Sequence, residues 1–160
     1  MSEHTIDLQV NGEAHTARTP SRRLLCDLLR EDLHLMGTKR GCETGTCGAC
    51  SVLVDGALVK SCLMLAVQAR GCQLTTVEGL ASGDTLHPLQ HSFMQCGGLQ
   101  CGYCTPGMLM ASVALLAANP DPTVEEVQKA LSGNLCRCTG YTQIVESVRD
   151  AAKEMRRHGN

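Results

Sequence analysis

The sequence predicts an α+β protein built in two unlike halves. Two turn signals and one change of periodicity carry that prediction. Asn11-Gly12 and Asp55-Gly56 each join short runs of apolar residues, the mark of β-hairpins. From Gly83 onward the apolar residues recur at helical spacing instead. Between the two hairpins lies a glycine-rich stretch, residues 37–51 (GTKRGCETGTCGACS), with neither period. It reads as a ligand loop.

Each element follows from its own residues. Ile6, Leu8 and Val10 alternate along residues 4–10, and a polar return strand is expected near 13–18, ended by Pro20-Ser21. Leu24, Leu25, Leu28 and Leu29 stand against Arg22, Arg23, Asp27, Arg30, Glu31 and Asp32, which predicts an amphipathic helix over about 22–33. Cys26 lies beside its apolar stripe. Val52-Leu53-Val54 and Leu58-Val59 predict the second hairpin, residues 61–69 a short buried helix, and Leu74 with Val77 a last strand. In the second half, a helix is expected from near Thr85 or Pro88 to about Gln95, broken by Gly97-Gly98. Thr105 before Pro106 predicts an N-cap for a helix over 106–118. Thr123-Val124-Glu125-Glu126 is a capping box for a helix to about Leu131. A last helix over about 141–157 gathers Ile144, Val145, Val148, Ala151, Ala152 and Met155 on one face. The predicted domains are 1–79 and 80–160, the second of four helices.

Composition says how such small domains can hold. Aromatics are 2% of 160 residues, one Phe, two Tyr and no Trp, so the cores are left to Leu, Val, Ala, Ile and Met. Two domains of about 80 residues each have marginal cores, where a metal or disulfide staple helps. Eleven cysteines supply the candidates. A net charge of −2 without a long run of one sign excludes a nucleic-acid footprint and a polybasic membrane patch. The opening residues Met1-Ser2-Glu3-His4-Thr5-Ile6-Asp7 have no basic and apolar regions of a secretory signal, so none is expected. No apolar run approaches the roughly 20 residues that span a bilayer. A soluble, cytoplasmic protein is expected, and in that reducing compartment clustered thiols read as metal or redox sites.

The first constellation is Cys42-x4-Cys47-x2-Cys50, with Cys62 after eleven intervening residues. This is the spacing of plant-type [2Fe–2S] ferredoxins. The iron and sulfide core takes thiolate ligands and is anionic, so it calls for backbone N–H groups at close range. Gly41, Gly45 and Gly48 remove side chains that would block that approach. Lys39 and Arg40 are expected to offset the charge. Zinc also accepts four cysteines, usually as two C-x2–4-C knuckles; three ligands crowded on one loop and one alone fit a cluster better. The second constellation is Cys101-x2-Cys104 and Cys136-x-Cys138, with 31 residues between the inner members. It is open to the same alternatives, although C-x-C makes a poor zinc knuckle. Cys104 and Cys138 each precede an expected helix, whose N-terminus would turn partial positive charge toward an anion. Arg137, between two ligands, either compensates charge or diverges to solvent or a partner. A zinc-stapled interaction module and a thiol-based sensor are the competing function classes.

Other residues read more plainly. Cys26, Cys72 and Cys96 are expected to be small buried hydrophobes, His87 and His91 a surface pair, and Tyr103 and Tyr141 packing groups beside ligands. Met108 and Met110 read as core or interface.

GTKRGCETGTCGAC, KSCLMLAVQA, LQCGYCTPGMLM and GNLCRCTGY resemble the iron–sulfur small subunit of the molybdenum hydroxylases, the xanthine oxidase family. The resemblance runs from about Ile6 to Ala152, and all eight cysteines match in order and spacing. It implies an N-terminal β-grasp, plant-type ferredoxin-like domain and a C-terminal four-helix-bundle domain. Each would hold one [2Fe–2S] cluster, the first on Cys42, Cys47, Cys50 and Cys62, the second on Cys101, Cys104, Cys136 and Cys138. It further implies a large molybdopterin-binding subunit and a medium FAD-binding subunit, in a heterotrimer or a dimer of heterotrimers. Gln100, and backbone near Cys138, would contact the molybdopterin. Electrons would pass from molybdenum through both clusters to FAD. The chain has no room for the flavin or molybdenum domain, so no turnover is expected from it alone.

Overall fold

The structure is a computed structural model and describes residues 2–158. The first half is one five-stranded sheet. Its strands are β1 (Glu3–Val10), β2 (Glu13–Pro20), β3 (Ser51–Val54), β4 (Ala57–Lys60) and β5 (Gln73–Thr75). Their order in the sheet is β2-β1-β5-β3-β4. β1 and β5 run parallel, and every other pairing is antiparallel. Both hairpin turns have the form the sequence demands. Asn11 and Gly12, and again Asp55 and Gly56, all take positive φ, which matches the turn to the strand twist. Ile6, Leu8 and Val10 point to one face and meet Val52, Val54 and Leu74 there. Leu25, Leu28 and Leu29 cover them from α1 (Leu25–Asp27) and the π-helical turn Leu28–Asp32 that continues it.

Two predicted helices of this half are altered for one reason. The expected helix over 22–33 begins only at Leu25, because Leu24 is extended and forms a β-bridge with Leu65. The expected helix over 61–69 is split into 3-10 turns at Ser61–Leu63 and Ala66–Ala69. Met64 and Leu65 between them are also extended, and the Leu25 N–H donates to Met64 O at 2.8 Å. Cross-chain pairing of these leucines therefore overrides helical periodicity on both sides. The last strand also stops earlier than expected, and Val77 belongs to a 3-10 turn, Val77–Gly79.

The second half has four helices, as expected: α2 (Pro88–Gln95), α3 (Thr105–Ala118), α4 (Val124–Leu131) and α5 (Thr142–His158). Leu89 and Phe93 of α2, Met108 of α3, Val127 of α4 and Ile144 and Val148 of α5 are buried together. The Thr123–Glu126 capping box forms: the Glu126 N–H donates to Thr123 Oγ1 at 3.2 Å, and the Thr123 N–H to Glu126 Oε2 at 2.8 Å. α3 is apolar all round, and every residue from Gly107 to Ser112 is buried. One side meets the bundle and another packs on β3. It therefore joins the halves. Among the described residues no helix is long and apolar enough to cross a membrane.

Candidate metal centres

The first candidate site is one tied-down loop. Arg30 Nη1 donates to Thr38 O at 2.7 Å and Met36 O at 3.1 Å, holding the start of the loop to the turn after α1. Arg40 forms ion pairs with Asp27, at 3.0 Å, and with Glu31. Lys39 Nζ donates to Met36 O at 2.8 Å. Both cations expected to offset cluster charge are thus engaged locally. Glu43, Gly45 and Gly48 take positive φ and curl the loop inward. The N–H groups of Thr44 and Cys47 then donate to Cys42 Sγ at 3.4 and 3.3 Å. Hydrogen bonding from the Thr44 side chain, and from the Cys47 and Thr44 backbone, pulls the Cys42 thiol down to about 6. Gly41 allows close approach to sulfur, since a Cβ there would lie 2.6 Å from Cys47 Sγ.

Cys62 is brought back to this loop by the β3–β4 hairpin. The Ser61 N–H and hydroxyl both donate to Cys50 O, at 3.3 and 2.7 Å. Cys50 and Cys62 are 2% and 4% exposed and pack with buried Cys26. Burial, with a hydrogen bond to Cys50, pushes the Cys62 thiol up to about 11. Burial pushes Cys26 up to about 12, with Asp27 adding to it. That fits an inert core thiol.

The second candidate site joins two distant segments. Cys104, not the expected Thr105, occupies the N-cap of α3, and Thr105 is already helical. The reason is backbone geometry: Cys104 O accepts from the Met108 N–H at 3.0 Å, and no side chain caps the end. The Thr105 hydroxyl oxygen is buried with no hydrogen-bond partner among the described residues. Burial pushes the Cys104 thiol up to about 12, assisted by its contact with Cys136. Burial also raises Cys136, but hydrogen bonds from the Thr139 hydroxyl and from the Thr139 and Cys138 backbone prevail and bring it to about 7. Cys101 and Cys138 are exposed, with sulfurs 3.6 Å apart. α5 starts at Thr142, after Gly140 and Tyr141, both at positive φ. Its first residue is therefore separated from Cys138, unlike the direct junction at α3. That turn brings Tyr141 back, so that its Oη accepts from the Cys136 N–H at 2.8 Å and donates to Asn134 O at 3.4 Å.

The eight thiols thus stand as four pairs. Each site has a covered pair, Cys50 with Cys62 or Cys104 with Cys136, and a more open pair, Cys42 with Cys47 or Cys101 with Cys138. Among the described residues no three His, Cys, Asp or Glu side chains converge on one ion position. None of the eleven cysteines forms a disulfide. The donor set fits an anionic group with sulfur acceptors: thiols in pairs, inward N–H groups, and one unpartnered buried hydroxyl at Thr105.

The sites adjoin. The Leu135 N–H donates directly to Cys47 O at 2.8 Å. Asn134 Nδ2 donates to Gly48 O at 3.0 Å, and Tyr103 Oη donates to Arg40 O. Gly48 clears the way for the other segment, because a Cβ there would lie 2.3 Å from Gly133 O.

Two family models match the chain. One described as "2Fe-2S iron-sulfur cluster binding domain" matches residues 8–77, and one described as "[2Fe-2S] binding domain" matches residues 76–149. The nicotine 6-hydroxylase small subunit of Paenarthrobacter nicotinovorans is 56% identical over 146 residues, 91% of this chain and 88% of its own. The chain belongs to the small iron–sulfur subunits of the molybdenum hydroxylases, the xanthine oxidase family. The small FeS subunit of nicotinate dehydrogenase from Eubacterium barkeri is 50% identical to this iron–sulfur subunit over 153 residues, 96% of one chain and 98% of the other. A chain of the crystal structure of quinoline 2-oxidoreductase from Pseudomonas putida 86 superimposes with a TM-score of 0.95 at 49% identity, covering 98% of each chain. The β-grasp ferredoxin-like half and the helical half are thereby both accounted for. The protein is a 2Fe–2S-binding electron-transfer subunit, a non-catalytic part of an oxidoreductase. The zinc-module and thiol-sensor alternatives are set aside by the two family matches.

Among the remaining sequence expectations, Met108 and Met110 are fully buried, so they belong to the interior. Cys72 and Cys96 are only half-buried, unlike Cys26. His91 is exposed, whereas His87 is half-buried, and its Nδ1 accepts from the Leu89 N–H at 3.2 Å and caps α2. Gln100 and Arg137 are exposed beside Cys101 and Cys138. A cleft of about 510 Å³ lies between α4 and α5 and touches none of the eight thiols.

Proposed function

We propose that Cys42, Cys47, Cys50 and Cys62 hold one [2Fe–2S] cluster and Cys101, Cys104, Cys136 and Cys138 a second. The two would belong to domains 1–79 and 80–160. When bound, each cluster supplies a one-electron carrier. The observation that carries this reading is the pairing of thiols at both sites, with the two sites joined through the hydrogen bond from Leu135 N–H to Cys47 O at 2.8 Å.

The chain's own residues do the positioning. The Thr44 and Cys47 N–H groups hold Cys42 as a thiolate, and Thr139 does the same for Cys136. Cys50 and Cys62 are buried and Cys104 is half-buried, so one side of each site is the less open to water. Exposed apolar residues stand next to ligands in the chain: Leu63 after Cys62, Tyr103 before Cys104 and Leu135 before Cys136. We assign these faces to partner subunits. The second site, with Gln100 and the Cys138 backbone, meets the molybdopterin of a large subunit. The first faces FAD on a medium subunit. Electrons enter from the molybdenum side and leave to FAD, in a cytoplasmic heterotrimer or a dimer of heterotrimers.

The test is rapid-mixing reduction of the assembled enzyme carrying Cys104→Ser. Substrate is expected to reduce the molybdenum centre while flavin reduction slows by at least ~100-fold, as for loss of a ~3 kcal/mol barrier advantage. Flavin reduction at the unaltered rate would remove the second cluster from the path.

A further inference from the structure

Lys60 is the cation that the molecule leaves between the two sites. It ends β4, pairs across the hairpin with Ser51, and stands two residues before Cys62. Its Nζ donates to Ser51 Oγ at 2.9 Å, Gly133 O at 2.9 Å and Asn134 Oδ1 at 3.2 Å. The first partner follows Cys50, and the other two precede Leu135 and Cys136. One side chain thus ties the loop of the first site to the segment of the second.

The hydrogen-bond roles define the charge state. Ser51 Oγ gives its own proton to Gly48 O at 2.7 Å, so toward Lys60 it accepts. Asn134 Nδ2 donates to Gly48 O, which leaves Oδ1 for Lys60. An ammonium has three donors and no acceptor, and three oxygens meet it. A neutral amine would bring a lone pair to a site that offers it no donor. Among the described residues no carboxylate pairs with Lys60, whereas Arg40 is paired twice. Ser51 and Asn134 are each 2% exposed and Lys60 itself is half-buried, so solvent screens this positive charge only in part.

On the reading of the two cluster sites given above, we propose that Lys60 is a fixed cation that raises the reduction potential of the first cluster above the value its ligands alone would set, and so favours the electron's arrival there from the second. Reduction adds one electron and no proton, and a nearby cation stabilises the added charge. The effect falls mainly on the first cluster. Lys60 lies opposite the residue after Cys50 and on the chain leading into Cys62, the covered pair of that site. Toward the second site it reaches only Gly133 and Asn134. Lys60 is a positioning and charge-setting residue, since it touches no ligand sulfur in its hydrogen bonds.

The test is an EPR-monitored redox titration of the assembled complex carrying Lys60→Gln, with Lys60→Arg, Ser51→Ala and Ser51→Asp beside it. The Cys104→Ser complex identifies which signal belongs to the first cluster. In Lys60→Gln the first cluster's reduced-to-oxidised ratio at fixed potential is expected to fall about tenfold, a 59 mV downward shift for one electron, with a smaller change at the second. Lys60→Arg and Ser51→Ala keep the charge and are expected to stay near the unaltered midpoint. Ser51→Asp keeps the lysine but neutralises it, and is expected to reproduce the downward shift even if Lys60→Gln fails to assemble. An unmoved midpoint in Lys60→Gln or Ser51→Asp, or an equal shift in Ser51→Ala, would overturn the inference while both signals stand. Absence of both signals from the unaltered complex would overturn the cluster reading, and this inference with it.

Discussion

The two candidate sites reach the same thiol arrangement by opposite means. The first takes three cysteines from one loop whose shape is set by residues at positive φ, Glu43, Gly45 and Gly48. Only Cys62 arrives from elsewhere, carried by a hairpin. The second takes two short pairs from segments more than thirty residues apart and has no loop of its own. Its geometry depends on where α3 begins and on how Tyr141 turns back before α5. The first site is thus a local structure braced by the fold, while the second exists only when the fold has formed. They share one seam, where Gly48 meets Gly133 and Asn134.

Substitution at that seam is expected to have the largest effect. In Gly48→Ala the new Cβ would strike a backbone carbonyl at 2.3 Å, at φ +71. Backbone strain of about 1–3 kcal/mol and overpacking of about 1–3 kcal/mol act together. Both clusters are expected to be lost or depleted, as measured by iron content, and the thermal unfolding midpoint to fall. Loss of one cluster alone would show that the sites are separable at the seam. Next in size is Tyr141→Phe. It removes the acceptor of the Cys136 N–H and leaves that donor unpaired, at a cost of about 1–3 kcal/mol. The second cluster's EPR line shape is expected to change and the first's to stay. A change at the first would mean that the seam transmits distortion between them. The smallest effect is expected from Thr123→Ala, which deletes the capping-box hydroxyl far from either site. It should cost about 1 kcal/mol in chemical denaturation and move neither EPR signal.

How much of this was legible in the sequence follows from the same contrast. The hairpins, the capping box and the four helices of the second half depend on neighbouring residues, and each was readable. The spacing of Cys42, Cys47 and Cys50 suggests a cluster loop because these three cysteines are close in sequence. Of the glycines expected there to allow close approach to a cluster, Gly41 lies against Cys47 Sγ, whereas Gly45 makes room for Leu63 and Gly48 for Gly133 and Asn134, contacts that no local pattern encodes. The helix over 22–33 was misjudged because its leading leucine pairs with Leu65, forty-one residues away. Lys39 and Arg40 were chosen as counter-charges by adjacency, yet Asp27, Glu31 and Met36 O engage them. Lys60, a single lysine at the end of a short strand, carries no pattern in the sequence. Its one available signal is a charge two residues before Cys62, at the end of the apolar run Ala57-Leu58-Val59. Tyr141 was read as packing, and its hydrogen bond to Cys136 became visible only with its positive φ.

The most direct test of the central claim is low-temperature EPR on the dithionite-reduced protein, with iron, zinc and sulfide counted on the same sample. Two distinct rhombic signals with about four irons per chain are expected of two [2Fe–2S] centres. A single signal with about two irons, or zinc in place of iron, would contradict the assignment of eight cysteines to two clusters.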